Sequence, residues 1–366
     1  REMQLVEGDA YNQVKLQNSL RNIRNLGFFS DVSLEKKPGS SDEQSIIEIG
    51  VQEQSTGSLA VGFGYSSIDK SSFSIGINEK NFLGTGRSVG FSASVSGKKS
   101  NFNLSLTEPF FLNRNLSASA NIFTSKLEGK SVTTDQQGIG FGLGFKAAND
   151  VYHKLTYNLV ENKTNQTTNN SASSTGENSE KLVSSAIGYR LGIEKRDNRF
   201  DPSDGYFAEI SETYSGVGGD VNFLRSVLRG AYYKPVSFDR FVLGARAETG
   251  YIDGFDESVT QSNRFLLGGN KVRGFDGSGI GPRDNTSEGA VGGNQYYAGS
   301  FEIISNVGLN PDLGMRWTLF ADYGSAWGTD FPTGVVGAED DSMRQSIGFG
   351  ILWDTAIGPL SFYWAD

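Results

Sequence analysis

The chain has 366 residues, a net charge of −9, no cysteine and a single histidine. The negative charge argues against a nucleic-acid-binding protein, which needs a basic face, and the lack of cysteine argues against thiol chemistry and cysteine metal sites. No segment approaches the ~18–20 consecutive apolar residues of a membrane-spanning helix, and the mean hydropathy is −0.36, so composition alone would suggest a soluble acidic protein.

Residues 1–54 predict a small α+β domain. Four apolar residues recur at helical spacing: Leu16, Leu20, Ile23 and Leu26. Gly27 comes directly after them and is a candidate helix end. Two strand-like runs come next, Asp31–Lys36 and Ser45–Gln52, separated by the turn-forming residues 38–42. This order of one helix and two strands predicts an α+β unit that lacks a first strand.

From Gly57 onward, apolar residues alternate with small or polar ones. In the first run, one face carries Leu59, Val61, Phe63 and Tyr65, and the other carries Ser58, Ala60, Gly62, Gly64 and Ser66. About fifteen such runs follow one another, most of roughly 9–12 residues, the length of a strand that crosses a bilayer at a tilt. Because every second residue faces the lumen, a barrel hides its hydrophobicity from the mean hydropathy. We therefore predict a mainly β fold, a transmembrane antiparallel β-barrel over residues 55–366.

The connections that follow odd-numbered runs differ in length from those that follow even-numbered runs. The connections from odd to even runs include the three longest: Glu161–Lys181, Asp253–Gly293 and Ala326–Ser342. Outer-membrane barrels have long external loops and short periplasmic turns. Since residues 1–54 enter the first run from the short-turn side, we expect this domain to be periplasmic.

Both ends of the chain predict a fragment. Single-chain bacterial barrels have an even number of strands, whereas the fifteenth run reaches the last residue, Asp366. We therefore expect sixteen strands in the complete barrel, the last one absent here or supplied by another chain. The chain begins at Arg1 in mid-pattern without a signal peptide. The expected piece is a partial domain, 1–54, and a barrel, 55–366, without its last strand.

A glycine-rich motif lies in the longest connection, between the eleventh and twelfth runs. Its centre is the tetrad Val272, Arg273, Gly274 and Phe275. The tetrad resembles the signature of the BamA superfamily of outer-membrane assembly factors, which carry it in this loop; the motif alone is a hypothesis. Residues 27–32 also resemble the family's last POTRA domain, and residues 81–86 and 196–199 resemble its periplasmic turns. The resemblance covers nearly the whole chain, except for the missing upstream POTRA domains and the missing last strand.

Strict alternation turns two carboxylates toward the lumen on neighbouring strands. The residues that flank Glu302 are apolar and share the lipid face, and the same pattern over residues 317–323 turns Asp322 inward. The resemblance implies that Arg273 reaches down from the folded-in loop to these two positions. A guanidinium can bridge carboxylates, which lysine could not do equally well. The alternative is a solvated loop arginine above a wet lumen.

The first run, Leu59–Tyr65, has two interpretations. In one interpretation, Gly62 and Gly64 lack side chains in order to weaken the pairing of this strand. In the other, they only reflect the high frequency of glycine throughout this chain. Composition does not distinguish the two interpretations. The resemblance implies that the seam between first and last strands opens laterally and that the first strand then pairs with client strands by β-augmentation. Residues 59–65 are therefore the expected pairing strand.

The remaining candidate residues carry less chemistry. His153 has no second histidine or cysteine with which to form a metal site or a catalytic triad. Asp197 and Asp201 could imitate a glycosidase pair, but they lie in a turn rich in proline and glycine. The polar tract 163–178 is typical of an external loop. We expect no catalytic residue, no metal and no cofactor.

The predicted function is the assembly and insertion of β-barrel proteins in the bacterial outer membrane, without enzymatic catalysis. The resemblance implies that unfolded outer-membrane β-barrel clients, accessory lipoproteins and periplasmic chaperones are partners, in addition to the lipid bilayer. The closest alternative is a two-partner secretion transporter of the same superfamily. A passive diffusion porin and a soluble β-rich binding protein are more distant alternatives.

Overall fold

The structure is a computed structural model of the chain. It describes residues 2–41, 44–66, 70–128, 132–148, 150–166, 179–199, 201–236, 240–255, 257–285, 289–309, 313–330, 341–355 and 358–366. The chain divides into two compact units, residues 1–59 with 77–89 and residues 60–76 with 90–366. Within the described ranges, no helix is long and apolar enough to cross a membrane.

The N-terminal residues form one helix and a two-stranded sheet, as the spacing predicts. Helix α1 (Gln13–Asn25) is followed by Gly27, whose φ of +69° is the left-handed conformation that commonly ends a helix. Strands β1 (Phe29–Pro38) and β2 (Ser45–Glu53) pair antiparallel. The side chains of Leu16, Leu20 and Val32 are buried and form the core of this small layer. Residues 2–12 contain neither helix nor strand.

In the part of the chain that the structure describes, fifteen further strands form a single antiparallel sheet in which each strand pairs with its neighbours in the chain. The sheet is a nearly closed barrel, so the predicted fold is confirmed. The strands are β3 (Gly57–Ser66), β4 (Lys70–Glu79), β5 (Ser88–Ser96), β6 (Lys99–Glu108), β7 (Ser117–Glu128), β8 (Val132–Lys146), β9 (Val151–Gln166), β10 (Ser179–Glu194), β11 (Gly205–Gly219), β12 (Phe223–Val236), β13 (Phe241–Asp253), β14 (Gln295–Ser305), β15 (Met315–Trp327), β16 (Arg344–Thr355) and β17 (Gly358–Ala365).

The two faces of the barrel strands differ in the way that the alternation predicts. On β15, Leu319 is half exposed, whereas its neighbours Thr318 and Phe320 are buried. A large apolar side chain exposed at every second position is suited to lipid, because successive side chains of a strand point to opposite faces. The same alternation on β14 exposes Phe301 and turns Glu302 to the other face.

Strands β9 and β10 are longer than the sequence predicts. The connection expected over residues 161–181 is partly strand, because β9 continues to Gln166 and β10 begins at Ser179. Polar side chains support this extension: the Lys181 ammonium lies 2.7 Å from the Glu161 carboxylate. Such cross-strand pairs stabilise a ladder that projects beyond the apolar band. The rest of the predicted polar loop, residues 167–178, lies outside the described residues.

The turn between β10 and β11 is organised by Asp197. Its carboxylate accepts hydrogen bonds from the Ser203 hydroxyl at 2.6 Å and from the backbone N–H groups of Ser203 and Asp204 at 3.0 and 3.1 Å. The hydrogen bond from the Ser203 hydroxyl, with those from the backbone, lowers the pKa of Asp197 to about 2. Asp201 pairs with Arg316 instead, so the two carboxylates serve as turn and ion-pair residues.

Candidate functional site: a loop anchored in the barrel lumen

The described part of the connection between β13 and β14, residues 254–255, 257–285 and 289–294, packs against the inner face of the barrel wall. Its centre is held by short antiparallel bridges, including one between Leu267 and Ile280. One hydrophobic cluster joins the loop to β12–β15; it consists of Val221, Phe223, Val227, Ile252, Val259, Phe265, Leu267, Val272, Ile280, Tyr296, Ala298 and Ala326. The side chains of Leu267 and Val272 are fully buried. The loop therefore has an apolar core that it shares with the wall.

Arg273 lies at the centre of the polar contacts between loop and wall. Its Nε and Nη2 donate to the two carboxylate oxygens of Asp322, each at 2.7 Å, and its backbone N–H donates to Asp322 Oδ2 at 3.0 Å. Nη2 also lies 2.7 Å from Glu302 Oε1 and donates to Ser300 Oγ at 2.9 Å. The guanidinium stacks on Phe320, 3.5 Å from the ring centroid. This is a bidentate, buried ion pair with a second carboxylate beside it.

The barrel registers explain why the two carboxylates meet. Ser300 pairs with Asp322, and Glu302 pairs with Phe320, across the ladder between β14 and β15. All four residues point to the lumen, so their side chains are close neighbours. Burial opposes the charge of Arg273, but the hydrogen bonds and charges of Asp322 and Glu302 outweigh burial and raise the pKa of the guanidinium. Arg273 therefore stays charged in the lumen.

The other tetrad residues shape the turn that carries the arginine. Gly274 has a φ of +92°, which favours glycine, and a Cβ added there would lie 3.1 Å from the Cβ of Ala365 on β17. The backbone oxygen of Phe275 accepts a hydrogen bond from the N–H of Gly269 at 3.0 Å, which closes the turn. Phe275 packs against the hydrophobic cluster, in which Val272 is buried. Each tetrad residue thus contributes to the turn through a different contact or backbone conformation.

The structure brings the tetrad, Glu302 and Asp322 together, whereas residues 59–65 lie in a different element. They belong to β3, which is the last strand in the order of the sheet. Leu59, Val61 and Phe63 are exposed on one face. A Cβ at Gly62 or at Gly64 would lie 2.5 or 2.7 Å from a serine hydroxyl of β4. These glycines therefore leave space for the serine side chains of β4.

His153 lies on β9 and makes local contacts. Its Nδ1 is 2.8 Å from the hydroxyl of Tyr189, and its ring stacks on Phe145 with centroids 4.6 Å apart. Among the residues that the structure describes, no group of three or more histidine, aspartate or glutamate side chains is placed to hold a metal ion.

Sequence reasoning did not identify the hydrophobic cluster of the loop. The available signal was the recurrence of large apolar residues at Phe265, Leu267, Val272 and Ile280 within an otherwise small and polar segment. In a solvated external loop these apolar side chains would stay in water, so they would contribute no stabilising burial.

These features define a class: a transmembrane β-barrel with an inserted lumen loop, preceded by a small α+β domain. Residues 81–365 match the Omp85 superfamily domain, and residues 1–54 match the surface antigen variable number repeat, a POTRA domain. The chain therefore belongs to the Omp85 superfamily.

Several proteins of known name are similar to this chain. The outer membrane protein assembly factor BamA of Neorickettsia risticii is 30% identical over 98% of this chain and 49% of its own length, and that of Neisseria meningitidis serogroup B is 24% identical over 100% and 51%. The sorting and assembly machinery component 50 homolog of Mus musculus is 23% identical over 78% and 62%. The chain spans about half the length of the BamA relatives.

Solved structures show the same fold. BamA from Haemophilus ducreyi lacking POTRA domains 1–3 matches with a TM-score of 0.84 at 23% identity, over 100% of this chain and 77% of that one. CdiB from Acinetobacter baumannii matches with a TM-score of 0.58 at 14% identity, over 97% and 64%. At these identities, the likeness concerns the barrel architecture.

Proposed function

We propose that this chain is the membrane-embedded part of an outer-membrane protein assembly factor. Its substrates are unfolded β-barrel clients, its site of action is the bacterial outer membrane, and residues 1–54 lie in the periplasm. The observation that carries the proposal is the loop that Arg273 fastens to Asp322 and Glu302, in a chain whose relatives are named assembly factors. Accessory lipoproteins and periplasmic chaperones would deliver the clients. No catalytic group or cofactor is needed, because client folding into the membrane is itself downhill.

Reconstitution tests this function directly. Full-length protein in liposomes should accelerate the insertion of an unfolded barrel client, measured as the protease-protected, heat-modifiable fraction over time. Liposomes without protein give the uncatalysed rate. Equal rates in both preparations would reject the assembly function. Large, steady single-channel conductance would favour a porin, whose lumen stays open.

The second and weaker candidate is a two-partner secretion transporter of the same superfamily; the likeness to CdiB, at 14% identity, shows the shared fold alone. Such a protein exports a soluble client through its lumen instead of inserting a barrel client into the bilayer. The same liposomes distinguish the two functions, because a secreted client would reach the opposite compartment whereas an assembled client would stay in the membrane.

We further propose that clients pair with β3 over residues 59–65. A strand at the end of the sheet order offers backbone N–H and C=O groups to a new partner, whereas a central strand has both edges paired. Val61 lies on this strand and is exposed on its lipid face.

Disulfide trapping tests this pairing, since the chain has no cysteine of its own. Val61→Cys should form a disulfide with a cysteine in the terminal strand of a stalled client, in a register-dependent manner. Leu155→Cys, an exposed position on the central strand β9, is the matched control. Equal trapping at both positions would rule out β3 as the pairing strand.

A further inference from the structure

Lys271 makes a second set of contacts between the loop and the wall. Its ammonium pairs with Glu248 of β13, lies 4.4 Å from the centroid of the Tyr296 ring and is 3.4 Å from the Tyr296 hydroxyl. Tyr296 is buried on β14. The lysine is only two residues before Arg273, yet it contacts a different carboxylate on a different strand.

We propose that Lys271 is a positioning residue, a second electrostatic anchor that holds the loop in the lumen together with Arg273. The proposal deepens the proposed assembly function, on which its biological meaning rests. Arg273 fastens the loop to β14 and β15, and Lys271 fastens it to β13 and β14. Two ionic attachment points restrain the orientation of the tetrad turn more than one point would, in addition to the apolar contacts of Val272.

The wall around Glu248 explains why a cation of the loop fits there. Glu248 is 3.6 Å from Arg229 of β12, but this arginine also lies 4.0 Å from a second carboxylate, that of Glu209. Arg190 approaches Glu209 from the other side, at 3.5 Å. Positive and negative side chains thus alternate from β10 to β13. The ammonium of Lys271 is the next positive charge in this row, beside Glu248. The aromatic face of Tyr296 adds a cation–π contact.

Two anchors on one short segment make a specific prediction about their combined loss. While both anchors are present, a contact that opens is held near its partner by the other anchor, so it re-forms at high effective concentration. Removing both anchors leaves the segment with its apolar contacts alone. A solvated lysine whose ion pair contributes little would instead add nothing to the loss of Arg273.

A buried cysteine reports on loop release. In the cysteine-free chain, Val272→Cys places a thiol at a fully buried position between the two anchors. Its rate of modification by a water-soluble maleimide in detergent micelles measures how often the loop leaves the wall. In this background, Lys271→Gln and Arg273→Gln should each accelerate labelling. The double variant should label faster than either single variant, but by less than the product of the two single effects, because each single change already removes the help that one anchor gives to the other.

Matched variants separate an anchor from a merely structural lysine. Lys154→Gln removes another lysine of the barrel wall, on β9, and should leave the labelling rate unchanged. Lys271→Glu and Glu248→Lys should each accelerate labelling, and the reversed pair should label more slowly than either single reversal, with Arg229 beside position 248 limiting the recovery. If Arg273→Gln fails to fold, as judged by gel mobility before and after heating, Glu302→Gln takes its place.

The outcomes decide between the two roles. Additional acceleration by Lys271→Gln in the Arg273→Gln background, together with recovery by the reversed pair, supports the second anchor. A Lys271→Gln change that leaves the labelling rate unaltered both with and without Arg273→Gln, or a reversed pair that labels no more slowly than either single reversal, overturns it. Because no client is present in the labelling experiment, its failure is distinguishable from a failure of the insertion experiment, which would reject the assembly function and leave the two-point attachment standing.

Discussion

Arg273→Ala is expected to lower the free energy of unfolding by about 3–5 kcal/mol, because removing one partner of a buried ion pair strands the other. Asp322 is 2% exposed and loses the two guanidinium donors and the charge that compensate its burial. Glu302 keeps a second cation, since Arg246 lies 2.6 Å from it. Most of the cost therefore comes from the stranded Asp322, and the tetrad turn loses its hold on β14 and β15.

Urea unfolding in micelles and gel mobility before and after heating measure the stability, and client insertion in liposomes measures the activity. Arg273→Lys should recover little, because one ammonium cannot donate to both oxygens of Asp322 while it also reaches Glu302 and Ser300. Arg246→Ala is the control: its side chain is 43% exposed, and an exposed ion pair contributes at most about 1 kcal/mol. Wild-type stability and activity in Arg273→Ala would show that the loop does not depend on this ion pair.

The sequence suffices to predict the wall of this site but not the loop that covers it. A strand has a side-chain period of two, so one apolar neighbour on each side of Glu302 fixes its direction. Asp322 follows from the same rule. The lengths of β9 and β10 could not be predicted from the sequence in this way, because polar residues such as Lys181 and Glu161 are compatible with either a loop or an extended strand ladder. Only the structure shows that these two residues pair across the strands.

The loop has no such period, and this limits what its sequence reveals. The pairing of Lys271 with Glu248 depends on the turn formed by glycines with positive φ, including Gly269 and Gly274. Glycine permits many conformations, so the sequence does not choose among them. The tetrad itself was identified by family resemblance; the physical reasons for Val272 and Gly274 require the coordinates of the neighbouring strands.

Leu267→Ala tests the apolar half of the attachment and should cost about 2–5 kcal/mol, the range for truncating a buried leucine. Leu267 has no exposed surface, and its backbone oxygen accepts a hydrogen bond from the N–H of Ile280 at 3.1 Å. Its side chain packs over Gly324 of β15, where an added Cβ would lie 3.1 Å from Leu267 Cδ2. Since the wall is a rigid sheet, it cannot collapse into the cavity, and the lost contacts are not replaced.

The lipid-facing Leu319→Ala provides the control, because acyl chains can fill the space that the side chain leaves, and its loss should be much smaller. Leu267→Ala leaves the partners of Arg273 intact, so combining it with Arg273→Ala measures whether the apolar and ionic attachments act as one unit. We expect the two costs to couple, since both changes release the same segment from the same wall. Strictly additive costs in the double variant, with each single variant near the expected range, would mean that the loop is held by two independent patches.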